Sequence, residues 1–374
     1  MADRCTRVEF EGRQAAGPMR RAILILTAIL IGAAQATAVG PAMERRLSRA
    51  LGLFPEADAD KDGKLSMAEA VAYLEAHPEL SALLGGIPGG KASREPTSVA
   101  PTSPDLPPGP RVLICGHSFM IFTAKLLPPL AQAAGIGYRV AGSQMIGGSR
   151  VIQHWNLSDE RNTAKVALRE GRVDVLTLSP HVQLPDEGID KFTKLGLEKN
   201  PKLRVLVQAS WPAHDGEPSK HFSNGERDGA TVERLREMGE HYRSTWLRSL
   251  EGQVRALNAA IGQDAVFIIP VGDAVLTLRE RIAEGTVPGV TRQTDLFRDD
   301  LGHPLPPLAA LVTYCHFASI FSRSPVGLPV TAELKTRPQA EELNRLLQQI
   351  AWDAVTRYPM SGIKTTAPQT AKVP

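Results

Sequence analysis

Cysteine is scarce in this chain, with three in 374 residues. Cys5 falls in a segment read below as a leader, which leaves Cys115 and Cys315 able to close at most one disulfide. Both lie in apolar runs, where buried free thiols are common, and they are expected to stay unpaired. Charge of one sign is also lacking. The 43 basic and 40 acidic side chains leave a formal +3, and no run of lysines and arginines marks a basic tail, so nucleic acid is not an expected partner. No strand leads into G-x-G-x-x-G, no P-loop is present, and no cysteine/histidine set has zinc spacing, which removes the corresponding cofactor readings. Apolar runs fall short of the ~20 residues needed to span a membrane.

What remains is an ordinary globular composition, 43% hydrophobic and 22% charged, with material for a sizeable core. The length allows two or three domains at roughly 100–200 residues each. The first segment reads as a targeting signal. From Met19 two arginines precede an apolar run from Ala22 to Ala34, and Ala36-Thr37-Ala38 offers small residues for cleavage. Residues 1–38 are thus expected to be a signal peptide whose true start is Met19, and the mature protein to be secreted or periplasmic. Its loss takes five Lys/Arg and three Asp/Glu, leaving the mature chain close to neutral.

Residues 39–84 hold a helical pattern on either side of DADKDGKLSMAE, which matches the calcium loop of an EF-hand position by position. Asp58, Asp60 and Asp62 take the first, third and fifth positions, Gly63 the sharp turn, Lys64 the backbone-carbonyl position, Ser66 the water-mediated one and Glu69 the bidentate one. Ca2+ is the cofactor this pattern implies, in a structural or docking role rather than in catalysis. Only one such loop is visible. Leu65, which in a paired hand sits in the strand between loops, therefore needs a partner from a second chain or from the neighbouring domain. A lone extracellular hand should bind in the ~10⁻⁴–10⁻³ M range. Residues 85–110 are dominated by Pro, Gly, Ser and Thr and read as a linker.

From Arg111 to about residue 360, apolar strand-like runs alternate with helical patterns. The runs are RVLIC, YRVAG, VDVLTLS, LRVLVQAS and AVFIIPV. Such alternation predicts a three-layer, doubly wound α/β domain with a mostly parallel sheet. Residues 361–374 read as a disordered tail. In RVLICGHSFM, Gly116 permits a sharp turn and Ser118 arrives where the first strand stops, at the carboxyl edge of the sheet. That placement suits a nucleophile, although a serine there can equally cap the following helix. A base and an orienting acid are then required. His303 has the most suggestive setting of the nine histidines, with Asp300 three residues before it and a helix-forming apolar run after.

Taken together, Gly116-His117-Ser118 after the first strand, a glycine in MIGGSR after the second, and Asp300-Leu301-Gly302-His303 near the end resemble the SGNH (GDSL-type) hydrolase superfamily. The resemblance covers Arg111 to about Pro329. It implies a flavodoxin-like fold and hydrolysis of an ester through an acyl-enzyme on Ser118, with His303 as base and Asp300 as its orienter. The substrate class it implies is a small ester or an acylated carbohydrate. Backbone N–H groups of Ser118 and of Gly147 or Gly148 would bind the oxyanion. Two departures stand out: His117 replaces the family aspartate, and the G-x-N-D block after the third strand is missing. In its place LSPHVQLPDEG offers His181 or Gln183 as side-chain donors. Loss of one oxyanion donor can cost ~10²–10³ in rate. The alternative is accordingly a catalytically weak domain that binds glycan or envelope polymer, attached through calcium. His154 and Trp155 are expected either to line the pocket or to pack, His214-Asp215 to lie on a long loop at the catalytic edge that is solvated or else shapes substrate choice, and His316 to sit in the core or between helices.

Overall fold

The structure, a computed structural model, describes residues 108–216 and 222–363, together with 47, 48, 51, 54–66, 69, 73 and 106. The signal peptide, most of the linker, most of the helices flanking the acidic loop, and residues beyond 363 lie outside the described residues. The chain divides into two compact units, Met1–Pro96 and Thr97–Pro374.

The larger unit is built on five parallel strands: β1 Pro108–Gly116, β2 Gly137–Met145, β3 Val175–Leu178, β4 Arg204–Gln208 and β5 Val266–Ile269. Their order is β2-β1-β3-β4-β5, the doubly wound arrangement expected from the alternating pattern. Register runs straight through the sheet: Cys115 lies opposite Leu178, Leu178 opposite Val207, and Val207 opposite Ile268. Successive β1 side chains point to opposite faces. Val112 and Ile114 join one core, and Leu113 and Cys115 join the other. A strand buried on both faces must be apolar throughout, which is why the run is continuous rather than alternating. Truncating Leu113, fully buried here, would cost ~2–5 kcal/mol.

On the Val112 face pack α1 Thr123–Ala133, α7 Val271–Ala283, α8 Pro306–Phe321 and α9 Ala340–Arg357. The opposite face carries α3 Thr163–Arg169, α4 Glu187–Lys199 and α6 Arg248–Ile261, with the short α2 Val151–Trp155 above. Helix α8 is apolar on every side because it is buried on every side. Cys115 and Cys315 are both buried free thiols, as expected. No helix among the described residues is long and apolar enough to cross a membrane.

Three local expectations are corrected. Strand β1 begins at Pro108, inside the stretch read as linker, because Pro108 sits at a strand start where its missing N–H costs nothing. Ser118 does not open a helix: residues from Ser118 to Phe122 form turns, with the amides of Met120 and Ile121 both donating to the His117 carbonyl, and α1 starts at Thr123. The long helical run after Thr231 is not one α-helix either. α5 Val232–Tyr242 passes through a π-helical turn, Arg243–Leu247, before α6.

Candidate active site

Strand order changes direction at β1, which has β2 on one side and β3 on the other, so the loops leaving β1 and β3 diverge above the sheet and open a crevice. Ser118 stands at that point. Gly116, which ends β1, has no room for a side chain: a Cβ there would lie 2.5 Å from Met120 Cε and 3.0 Å from Ser179 Cβ. Below the turn, a buried polar chain fixes its height. His316 Nε2 donates to Gln208 Oε1 (2.7 Å), and Gln208 Nε2 donates to the Phe119 carbonyl (3.1 Å). His316 is therefore a core residue, as the sequence suggested.

Ser118 Oγ lies 2.8 Å from His303 Nε2, and His303 Nδ1 lies 2.7 Å from Asp299 Oδ2. A carboxylate can only accept, so Nδ1 carries the proton and Nε2 is left to accept from the serine hydroxyl. The acid is Asp299, four residues before the histidine, and not Asp300. The loop explains the difference. Asp299 Oδ1 accepts from the amides of Gly302 (3.1 Å) and His303 (3.0 Å), while the Arg298 amide donates to the His303 carbonyl (2.8 Å). The turn so closed folds Asp299 under the ring and points Asp300 away, where its Oδ1 accepts from the Asn224 amide (2.7 Å). Burial pushes the Asp299 carboxyl up, but hydrogen bonds from the His303 amide and ring and from the Gly302 amide outweigh it and hold the group below its ordinary value.

The acid loop rests on charge. Arg227, 1% exposed, donates to the carbonyls of both Asp299 (3.0 Å) and Asp300 (2.8 Å) and to Asp215 Oδ1 (3.0 Å). Asp215 Oδ2 accepts from Arg279 (2.7 Å), so one carboxylate ties two buried guanidiniums. His214-Asp215 is thus not a solvated loop. Both residues adopt left-handed backbone (φ 49 and 53), a geometry uncommon outside glycine that recurs at functional sites. Trp211 adds a hydrogen bond from Nε1 to the Gly302 carbonyl (3.1 Å) and stacks on Phe119 at 4.5 Å, and Phe119 meets the His303 ring edge-on at 5.5 Å. Arg227 and Trp211 have no signal in the local sequence, and Asp215 is marked there only by its place after the fourth strand; all come from the segment after β4 and reach the loop only through the fold.

Buried histidines hold the other flank of Ser118, beside one carboxylate, Asp186, that Arg150 approaches to 3.8 Å. His117 Nδ1 accepts from the Phe119 amide (3.3 Å), so its Nε2–H faces Ser179 Oγ (3.0 Å) and the Pro180 carbonyl (3.3 Å). Burial drives its pKa down to about 4. His154 does not line the cavity. It packs with Nε2 on Ser149 Oγ (2.8 Å) and Nδ1 on Gln144 Nε2 (3.3 Å), and burial again lowers its pKa to about 4. The segment after β3 is anchored by Asp186, whose buried carboxylate accepts from the amides of Val151 (2.7 Å), Ile152 (2.9 Å) and Gly188 (3.0 Å). Gly188 is required by the same contact, since a Cβ would fall 2.3 Å from the Ile152 nitrogen.

Of the candidate oxyanion groups, Ser118, Gly148 and His181 line one cavity of about 770 Å³, whereas Gly147 and Gln183 do not. Gln183 is exposed and its Oε1 accepts from Arg150 (3.1 Å). Burial, with the Arg150 charge adding to it, lowers the pKa of His181, which favours a neutral ring with one N–H to donate.

In the smaller unit, oxygens of Asp58, Asp60 and Glu69 lie within 4.8 Å of one another. Asp58 Oδ2 accepts from Gly63 (3.0 Å), while its buried Oδ1 has no partner. Glu69 Oε1 accepts from Ala59 (2.9 Å) and Oε2 from Ser66 (2.9 Å). Asp62 Oδ1 is taken by the Lys64 amide (2.8 Å) and is not in the cluster. The donor set is all oxygen, which fits a hard divalent cation.

No family model and no curated protein matches the chain. Among solved structures, a DUF4886 family protein from Bacteroides uniformis ATCC 8492 aligns at 16% identity with a TM-score of 0.43, covering 67% of this chain and 95% of that one.

Proposed function

We propose that the larger unit is a serine hydrolase of SGNH type acting on ester bonds. The observation that carries this reading is the continuous hydrogen-bonded line from Ser118 Oγ through His303 to Asp299. Ser118 Oγ attacks the ester carbonyl carbon as its proton passes to His303 Nε2, and Asp299 steadies the imidazolium that forms. The charge on the carbonyl oxygen is met by backbone N–H groups at Ser118 and Gly148 and by the His181 ring, which stands in for the missing asparagine. His303 then protonates the departing alcohol, and water, deprotonated by the same ring, releases the acid. The test is turnover of p-nitrophenyl acetate by the full chain. Wild type should hydrolyse it and Ser118→Ala should not; equal rates would refute the reading. Absence of turnover together with retention on envelope polymer would favour the binding alternative.

A second reading concerns the acidic loop. Asp58 Oδ1 is buried without a partner, which supports a divalent cation held by Asp58, Asp60 and Glu69. The cation would supply fixed charge that organises the loop. Calcium titration followed by calorimetry should show one site in wild type and none in Asp58→Ala; equal heats in the two would exclude it.

A further inference from the structure

The cavity beside Ser118 is larger than hydrolysis alone demands. At about 770 Å³ it falls in the ~300–1,000 Å³ range that encloses whole small ligands, far beyond an acetyl group. Its floor is aromatic. Trp211 and Phe119 stack with rings nearly parallel (5°), and Tyr242 and Trp246 form a second stacked pair at 5.8 Å. Of the second pair, Trp246 lies in the π-helical turn and Tyr242 directly precedes it, and such turns are often found at functional sites. Met238, a soft and adaptable side chain, lines the cavity as well.

Most polar atoms beside those rings are already hydrogen-bonded. Both indole N–H groups donate to backbone carbonyls, Trp211 to Gly302 (3.1 Å) and Trp246 to His181 (3.3 Å). Both Asp215 oxygens hold arginines, and Ser210 Oγ accepts from Gln208 (2.7 Å). The Tyr242 hydroxyl has no exposed surface and is packed at Gly272. Sugar hydroxyls would find mainly ring faces there, with the His181 and His214 imidazoles among the lining. Polar side chains with solvent access, Arg234, Glu237 and His241, lie at the mouth. Ser118 and the oxyanion groups Gly148 and His181 line the cavity, which places the carbonyl end of the ester at its edge. Trp211 and Leu301, from the His303 flank, line it too, so the acyl and alcohol series below separate the two halves of the ester.

We propose that this cavity is an acyl pocket and that the substrates are esters of bulky, apolar acids rather than acetates. The inference rests on the hydrolase reading for its chemistry and on the cavity for its selectivity. Each buried methylene is worth about fourfold in binding, so kcat/KM of the full chain should rise at least ~30-fold from p-nitrophenyl acetate through butyrate to hexanoate. Trp246→Ala should flatten that ratio ~10-fold, and Met238→Trp, which fills the space, should reverse it. Thermal melts identify any variant that has lost its fold. A flat acyl series in wild type, with acetate hydrolysis still dependent on Ser118, would overturn the pocket and leave the hydrolase standing. A rise with alcohol length from methyl to hexyl acetate, without one along the acyl series, would overturn the acyl assignment. The pocket is also tested without turnover. Ser118→Ala should quench its tryptophan fluorescence with p-nitrophenyl hexanoate at a Kd at least ~10-fold below that for the acetate; equal Kd values would contradict the proposal.

Discussion

The two flanks of Ser118 are held in place by different physics. Toward His303, loops are tied by charge: Arg227 and Arg279 share Asp215, and Arg227 also grips the carbonyls of Asp299 and Asp300. Toward His181, neutral histidines are threaded between Gln144, Ser149 and Ser179, with Asp186 the one buried carboxylate. The difference suits the proposed hydrolysis. In that reaction a proton moves to and from His303, and a fixed carboxylate with a rigid loop would keep the ring in one tautomer. On the far side the proposed reaction develops negative charge on the substrate, and uncharged donors would meet it there.

Breaking the charged flank at its centre should have the largest effect. Asp299→Asn leaves the loop shape but invites the wrong imidazole tautomer, so kcat should fall ~10³–10⁴-fold. Asp300→Asn, whose amide oxygen can still accept from Asn224, should stay within about threefold in the same ester assay. The reverse ranking would restore the D-x-x-H assignment. Next comes Arg227→Met, which strips the acid loop of its support. Because Arg279 still partners Asp215, a stability loss of about 3 kcal/mol is expected by urea denaturation, near the low end for a broken buried pair. A loss under ~1 kcal/mol would mean the clamp holds nothing.

The neutral flank should betray itself through pH. His117 and His154 titrate near 6.5 when unfolded and near 4 in the fold. Between those values the unfolded chain binds more protons, so their contribution is complete above about pH 6.5 and drains away as pH falls toward 4, at about 3 kcal/mol each. The Asp299 carboxyl, held below its ordinary value, keeps its contribution until pH drops beneath that range. Stability curves from pH 7 to 4.5 should therefore fall in wild type and fall less in His154→Gln. A flat wild-type curve would contradict this. The smallest effect expected is ~10² in kcat, with little change in KM, for His181→Ala, while Gln183→Ala should be silent. If the two behave alike, the third donor lies elsewhere.

Much of this was legible beforehand because it is local. Four apolar residues ahead of Gly116, and later runs of the same kind, can only be strands buried on two faces, and their alternation with helices leaves few topologies. Ser118 and His303 announce themselves by standing at chain positions where such sheets end. The orienting acid was misread because Asp299 and Asp300 are adjacent, and a one-residue choice is settled by a turn rather than by spacing. The Arg227 clamp and the role of His214-Asp215 were invisible for another reason. They depend on segments 64 to 87 residues apart meeting above the sheet, and nothing in an isolated arginine says which carbonyls it will find.

The central claim is that Ser118 is an activated nucleophile and that His303 and Asp299 activate it. Labelling with a fluorophosphonate, followed by mass spectrometry of the modified peptide, tests it most directly because it requires no knowledge of the substrate. Wild type should be labelled on Ser118, His303→Ala should resist labelling, Asp299→Asn should label slowly, and Asp300→Asn should label at the wild-type rate. Wild-type protein that remains unlabelled, or that is labelled as fast after loss of His303, would contradict it.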